Sequence, residues 1–194
     1  MQIMRIVVTG TVGAGKSTFV RTVSEIEPVE TDQAATDETA TMKTHTTVAM
    51  DFGRLHFGTQ TSLHVYGTPG QERFDFMWDI LIRKAHAFIL LVSSHRPQDL
   101  RGARKILSFM RYRAKIPFLI GLTHTDLPNA WSMEDISVAL GFTDSHSRPP
   151  ICRVDPRDRV SAVQTLVELI QEYTRQKRAV RVGSPNCVQT VQRS

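Results

Sequence analysis

Short apolar runs alternate along this chain with segments in which apolar residues recur every three or four positions. The short runs are typical of buried strands, and the recurring pattern is typical of amphipathic helices. Strands are predicted over residues 3–9, 48–57, 62–66, 87–93, 116–123 and 149–154. Helices are predicted over residues 16–25, 73–85, 98–113, 132–140 and 157–175. This alternation predicts an α/β fold, with a mostly parallel six-stranded sheet covered by helices on both faces.

The second and third predicted strands are joined by the short turn sequence GTQT. They are therefore expected to form a hairpin, which adds one antiparallel edge strand to the sheet. In the helix over 132–140, Ser132 is expected to act as the N-cap, with Asp135 three residues later as in a capping box.

Two helices carry apolar residues at a helical spacing that is expected to face the core. In the helix over 73–85 these residues are Phe74, Trp78 and Leu81. In the helix over 157–175 they are Val160, Val163, Leu166, Val167 and Ile170.

One domain and a tail account for the whole chain. With 194 residues, of which 41% are hydrophobic, the chain is long enough for one sizeable core. The domain is expected to span residues 1–175, and within it residues 28–47 form a long polar loop rich in threonine. Beyond residue 175 the apolar period fades and Gly183 and Pro185 appear, so residues 176–194 are predicted to form a basic, disordered tail.

The charge and the cysteines limit the classes of partner and the compartment. The net charge is +5, which suits an anionic ligand, a membrane surface or nucleic acid. The tail has no interleaved aromatic residues for base stacking, so no specific nucleic acid is expected, while weak contact with a membrane surface stays open. No run of 18 apolar residues is present, and Cys152 and Cys187 make no disulfide framework, so a cytoplasmic protein without a transmembrane segment is expected.

The strongest motif is GTVGAGKS at residues 10–17, which matches G-x-x-x-x-G-K-[ST] between a predicted strand and a predicted helix. In such a phosphate loop the backbone N–H groups and the helix N-terminus bind phosphate oxygens. The Lys16 ammonium reaches the β- and γ-phosphates, and the Ser17 hydroxyl faces magnesium. The nucleotide-binding residues predicted here are Gly10, Val12, Gly13, Ala14, Gly15, Lys16, Ser17 and Thr18.

The phosphate loop is followed along the chain by three segments, TTVAMDFG, GTPGQERF and THTDLP. This order of motifs resembles the small Ras-like GTPase superfamily, and most closely its bacterial MglA-like and conservon-type members. The resemblance covers residues 3–175. It implies a three-layer P-loop NTPase fold, GTP and GDP as ligands and Mg²⁺ as the cofactor. It also implies a molecular switch that signals through its two nucleotide-sensing loops.

The resemblance assigns roles to residues outside the phosphate loop. Thr47 matches the threonine that binds magnesium and senses the γ-phosphate, and Gly70 matches the glycine that senses it from the other side. Gln71 matches the glutamine that orients the attacking water, so it is the implied catalytic residue together with Lys16. Asp126 matches the aspartate that reads guanine. The residues implied around the base are Thr123, His124, Asp126, Asp155 and Pro156.

Four departures from the family pattern bear on turnover. Gly67 stands where the family has an aspartate on the magnesium side, which predicts a weakened magnesium contact. Val12 replaces a glycine and is expected to crowd Gln71, and His124 replaces a lysine beside the base. No arginine directly precedes Thr47, so a partner is expected to supply activation. A protein activator, an exchange factor and effectors are the partners implied.

The main prediction is therefore a GTPase switch with slow, partner-stimulated hydrolysis of GTP to GDP and phosphate. One alternative is a GTP-binding interaction module that does not hydrolyse, which Gly67 and Val12 favour and Gln71 opposes. A second alternative is a P-loop phosphotransferase, although no arginine-rich lid is evident.

Overall fold

The computed structural model of the chain describes residues 2–27, 29–30, 50–71, 74–144 and 148–182. Within these ranges there are seven strands: β1 (Gln2–Gly10), β2 (Val29–Glu30), β3 (Asp51–Phe57), β4 (Thr61–Gly67), β5 (Ala87–Ser93), β6 (Phe118–Thr123) and β7 (Ile151–Arg153). The helices are α1 (Lys16–Val23), α2 (Asp75–Ile82), α3 (Leu100–Arg113), α4 (Met133–Ala139) and α5 (Arg159–Val182). The predicted α/β class is confirmed.

All strands form one sheet in the order β2-β3-β4-β1-β5-β6-β7. Strands β4, β1, β5, β6 and β7 run parallel, and β3 pairs antiparallel with β4, as the hairpin prediction requires. The two-residue strand β2 extends the predicted six-stranded sheet at the edge beyond β3. It falls inside the segment predicted to be a polar loop, since two residues are too few to produce a periodic pattern.

Two apolar layers hold the helices against the sheet. On one face, Phe19 of α1 and Leu166 of α5 are fully buried against alternate residues of the central strands. On the other face, Trp78 of α2 and Met110 of α3 pack in the same way. Every residue of β5 is buried, as is typical of a central strand of a parallel sheet covered on both sides.

The sequence patterns predicted the bounds of most helices and strands to within a few residues. Ser132 caps α4, because its hydroxyl accepts from the Asp135 N–H at 3.1 Å and donates to the Asp135 carboxylate at 2.6 Å. In α2, Trp78 is buried and Leu81 packs partly against the core.

The closing helix differs from its prediction in two respects. It continues to Val182, seven residues beyond the expected end at residue 175, while residues 183–194 of the predicted tail lie outside the described part of the chain. Val160 was expected to face inward but is 77% exposed. The inward stripe of this helix runs through Ala162, Leu166 and Leu169, and a residue two positions from that stripe lies on the opposite side.

No helix in the described ranges is both long and apolar enough to cross a membrane.

Leu166 and Val160, one buried and one exposed on α5, provide a matched test of this packing. We expect Leu166→Ala to lower the free energy of unfolding by about 2–5 kcal/mol, because it removes a fully buried side chain and leaves a cavity. Val160→Ala is expected to change it by less than about 0.5 kcal/mol, because that side chain is solvated. Urea unfolding of both variants measures the difference, and equal losses would contradict the assigned face of the helix.

Candidate functional site

The predicted site residues gather at the carboxyl ends of the parallel strands. Strand β1 lies between β4 and β5, so the chain leaves it at the point where the strand order reverses. In open α/β sheets this position forms a crevice between the loops that follow neighbouring strands. Gly10 ends β1, Gly67 ends β4 and Thr123 ends β6, so the three motif segments meet at this crevice.

The phosphate loop is tightly enclosed at its start and at its end. Gly10 has φ 147°, and a Cβ there would lie 2.2 Å from the Leu91 carbonyl oxygen, so this position accepts only glycine. Gly15 occupies the N-cap of α1 with φ 93°, and a Cβ there would lie 2.8 Å from Cγ of Pro156. The second contact joins the phosphate loop to the loop after β7, in which the resemblance placed two of the base residues, Asp155 and Pro156.

Lys16 is buried inside the loop, where its Nζ donates to the Thr11 carbonyl at 2.7 Å. Burial lowers the pKa of Lys16 from 10.5 to about 8, and the nearby Asp51 carboxylate partly opposes that change. The ammonium is therefore held in a site with little solvation, and a phosphate placed there would restore the stabilisation that burial removes.

A cavity of about 360 Å³ opens beside the N-terminus of α1. Six of the residues predicted to contact the nucleotide line it: Gly15, Thr18, His124, Asp126, Asp155 and Pro156. The sheet thus brings together residues that are more than one hundred positions apart in the chain. Its volume and its position next to the phosphate loop suit a nucleobase and ribose.

Thr123 and His124 connect this cavity to the phosphate loop. The buried Thr123 hydroxyl donates to the Ala14 carbonyl at 3.1 Å, which ties the end of β6 to the loop. His124 has φ 55°, and its Nδ1 lies 3.1 Å from the Ser93 hydroxyl. Burial lowers the pKa of His124 below 6.5, and the neighbouring His95 lowers it further, so the imidazole is neutral at pH 7. His124 therefore does not replace the charge of the lysine that the family pattern has here.

Arg157 crosses the cavity and was not identified from the sequence. Its guanidinium makes two bonds of 2.9 Å to the Asp155 carboxylate, and its Nη2 lies 3.5 Å from Asp126. Hydrogen bonds from Arg157 lower the pKa of Asp155 below 3.8. No motif marks this arginine, because its role depends on β6 and β7 being adjacent in the sheet.

The loop after β7 has few free donors for a base. The Asp155 N–H donates to Ser161 Oγ, and the Arg157 N–H donates to the Asp155 carboxylate, each at 3.0 Å. Pro156 has no N–H group. Recognition of a base at this site therefore depends on side chains such as Asp126.

The segment after β4 lies directly on the phosphate loop. A Cβ on Gly70 would lie 2.7 Å from both Lys16 Nζ and the Val12 backbone nitrogen. The backbone at Gly70 is therefore so close to the phosphate loop that no side chain fits between them. Trp78 Nε1 donates to the Pro69 carbonyl at 2.8 Å and anchors this segment. Gln71 is exposed next to it. Thr47, which the resemblance pairs with Gly70 as a second sensor of the γ-phosphate, lies outside the described residues.

Asp51 occupies the space that Gly67 leaves open. The two residues are paired across β3 and β4, and a Cβ on Gly67 would lie 2.9 Å from Asp51 Oδ2. The Ser17 hydroxyl donates to the same oxygen at 2.6 Å. The sequence shows only that Asp51 lies four residues after Thr47, and the strand register was needed to place it opposite Gly67.

These oxygens bear on the predicted magnesium ion. Within the described ranges no group of three or more His, Cys, Asp and Glu side chains could hold a metal. Magnesium in nucleotide sites needs no such group, because phosphate and water oxygens fill most of its coordination sphere. A hydroxyl and a carboxylate side by side are the hard oxygen donors that suit it, so Ser17 and Asp51 fit the ion.

Arg96 also reaches the phosphate loop, and the sequence did not indicate it. A Cβ on Gly13 would lie 2.9 Å from Arg96 Nη1, while Arg96 Nε pairs with Asp99 at 3.0 Å. The loop therefore has a second positive charge beside it, contributed by the turn after β5.

Comparison with known proteins supports these findings. The sequence model of the family described as "Conserved hypothetical ATP binding protein" matches residues 27–186. The uncharacterized protein MJ1339 of Methanocaldococcus jannaschii is 27% identical over 125 residues, which are 64% of this chain and 71% of that protein.

Among solved structures, the small GTPase Arl6 of Trypanosoma brucei with the bound nucleotide analogue GppNp matches with a TM-score of 0.67 and 18% identity. The match covers 90% of this chain and 99% of that one, and it shows the small-GTPase fold. Together the matches support a nucleotide-binding P-loop protein. They do not distinguish MglA-like or conservon-type members from other Ras-like proteins, so that finer assignment stays a prediction.

The lowered pKa of Lys16 predicts a pH dependence of nucleotide binding. Above about pH 8 Lys16 loses its proton in the protein without nucleotide, whereas a bound phosphate keeps Lys16 protonated. Nucleotide binding at such a pH therefore requires Lys16 to take up a proton. We expect the affinity for GDP to fall as pH rises above about 8, by at most about tenfold per unit. Calorimetry in buffers of different ionisation enthalpy measures both the affinity and the proton uptake.

The matched variant is Lys16→Arg, whose guanidinium stays protonated throughout this range. Its affinity is expected to lack the added fall above pH 8. An equal fall in both proteins would show that another group causes the pH dependence.

Proposed function

This chain belongs to the family described as "Conserved hypothetical ATP binding protein", and we propose that it is a small GTP-binding protein. In this proposal it is a GTP/GDP switch with slow intrinsic hydrolysis, and it signals through the loops that sense the γ-phosphate. The observation that carries the proposal is the crevice that joins the phosphate loop, the Gly70–Gln71 segment and the cavity containing Asp126.

The phosphate end of the crevice suits a triphosphate. Lys16 is buried and poorly solvated, so an anionic ligand gains more from it than from an exposed lysine. The N-terminus of α1 points into the same space and adds favourable backbone N–H groups. Arg96 beside Gly13 contributes further positive charge. This end of the site accounts for nucleotide binding but does not discriminate between bases.

Guanine selectivity is proposed to depend on Asp126. Guanine presents its N1–H and its exocyclic amine side by side, and one carboxylate accepts from both. Adenine lacks that pair of donors. The neighbouring loop supports this role of Asp126, because its Asp155 and Arg157 N–H groups are already bonded. Arg157 Nη2 lies 3.5 Å from Asp126, so guanine would compete with Arg157 for that carboxylate.

Hydrolysis is proposed to use Gln71 to orient the attacking water, with Gly70 next to the γ-phosphate. Magnesium, held by Ser17, Thr47 and the phosphates, would neutralise charge on the phosphate oxygens. Val12 is 54% exposed at the mouth of the loop, and its backbone nitrogen adjoins Gly70. We propose that its branched side chain limits how closely Gln71 approaches the γ-phosphate, which would make the intrinsic rate slow.

The switch role requires a surface that a protein partner can read. Helix α2 begins four residues after Gln71 and exposes the apolar residues Phe76 and Ile80, which are 50% and 53% accessible. Exposed apolar groups on one helix are typical of protein-binding surfaces. An activator, an exchange factor and effectors are proposed to contact this region together with the segment around Thr47.

A GTP-binding module that does not hydrolyse is the second candidate, and the position of Val12 favours it. The two candidates share the binding site and differ only in the function of Gln71.

Base selectivity tests the first part of the proposal. We expect the wild-type protein to bind GDP more tightly than ADP. Asp126→Asn is expected to weaken GDP binding about 10- to 100-fold, because one carboxamide cannot accept from both guanine donors. Binding of ADP serves as the internal control and is expected to stay unchanged. Titration with fluorescent nucleotides measures both, and an unchanged GDP affinity would remove Asp126 from the base site.

Turnover tests the second part. Gln71→Leu is expected to slow single-turnover GTP hydrolysis by roughly tenfold or more, because the water loses its orienting partner. The affinity for GTP is expected to be unchanged. Gln60→Leu, in the turn at the opposite end of β4, is the matched control and should hydrolyse GTP like the wild type. Equal rates in both variants would favour the module that does not hydrolyse.

A further inference from the structure

We infer that Asp51 supplies the carboxylate on the magnesium side of the nucleotide site, from β3, in place of a carboxylate at Gly67 on β4. The inference rests on the proposed nucleotide-binding function and assigns a residue that the sequence comparison left out. It revises the expectation that Gly67 weakens the magnesium contact, because the missing group is replaced from the neighbouring strand.

The strand register brings Asp51 to this position. Asp51 and Gly67 face each other at the ends of the antiparallel pair β3 and β4. Side chains directly opposite in such a pair lie on the same face of the sheet with Cβ atoms close together. The Asp51 side chain therefore extends over Gly67 towards the phosphate loop.

The close packing at Gly67 shows that two carboxylates do not fit side by side here. A Cβ on Gly67 would lie 2.9 Å from Asp51 Oδ2, 3.1 Å from Asp51 Cβ and 3.3 Å from Val20 Cγ2. Glycine at this position is thus a condition for the presence of Asp51, and the two residues form one unit.

The hydrogen bond to Ser17 orients the predicted magnesium ligand. The Ser17 hydroxyl donates its proton to Asp51 Oδ2 at 2.6 Å, so its lone pairs remain available to a cation. Asp51 also attracts the Lys16 ammonium, which places its negative charge within the phosphate loop region. A negative charge beside a hydroxyl donor and a triphosphate site is the environment that a divalent cation requires.

The test uses the full chain loaded with fluorescent GDP and measures its release at graded free Mg²⁺ concentrations set with EDTA. In the wild type, Mg²⁺ is expected to slow release. In Asp51→Asn, the Mg²⁺ concentration that gives half of this effect is expected to rise about 10- to 100-fold. Release in excess EDTA reports the metal-free site, so it separates a change in magnesium binding from a change in nucleotide binding.

Two further variants separate a magnesium role from a structural one. The exchange variant Asp51→Gly/Gly67→Asp returns one carboxylate to the site from β4, leaves no Cβ at position 51 to crowd it, and is expected to recover most of the Mg²⁺ dependence. Asp51→Gly alone is expected to lack it. Glu27→Gln removes an exposed carboxylate after α1 and is expected to behave like the wild type.

The outcomes distinguish this inference from the function on which it rests. If Asp51→Asn binds GDP and keeps the wild-type Mg²⁺ dependence, the inference is overturned and the proposed function stands. Equal acceleration of release with and without Mg²⁺, not recovered by the exchange variant, would also overturn it, because Asp51 would then act only through packing or through Lys16. If the wild-type protein binds neither GDP nor GTP, the proposed function fails and the inference fails with it.

Discussion

The enclosure of the Lys16 ammonium by the phosphate loop is the constraint on which the rest of the site depends. The loop can surround this charge only if neighbouring segments approach its backbone closely, which Gly10, Gly15 and Gly70 allow. Burial of the charge costs free energy that the Thr11 carbonyl and the Asp51 carboxylate only partly offset. The site therefore suits an anion, because a phosphate group would stabilise an ammonium that burial leaves poorly solvated.

The carboxylates at both ends of the crevice already have partners within the protein. At the phosphate end Asp51 accepts from Ser17, and at the base end Arg157 lies between Asp155 and Asp126. A nucleotide bound in this crevice would exchange partners with these groups, so its net binding free energy would be the difference between two sets of polar contacts. The side chains proposed to contact the ligand are thus held by partners within the protein.

Fold and base specificity are decided by different parts of the molecule. The likeness to a small GTPase at 18% identity extends over nearly the whole chain, because the alternation of strands and helices defines the layers. Specificity depends on a few side chains in one cavity, which a common fold does not determine. The family description refers to ATP, and the proposed preference for guanine depends on one side chain in the cavity, that of Asp126.

The sequence by itself determined the order of elements and the phosphate loop, because both are local: apolar periodicity within a segment, and glycines next to Lys16 and Ser17. It wrongly assigned Val160 to the buried face of the last helix and ended that helix too early. Near a helix terminus few residues remain to define the apolar face, so the helical period is a weak guide there. Only the tertiary structure decided the positions of Asp51, Arg96 and Arg157. Each of these side chains contacts a residue on another strand or loop. Such contacts depend on strand register and strand order, which a local sequence pattern does not predict.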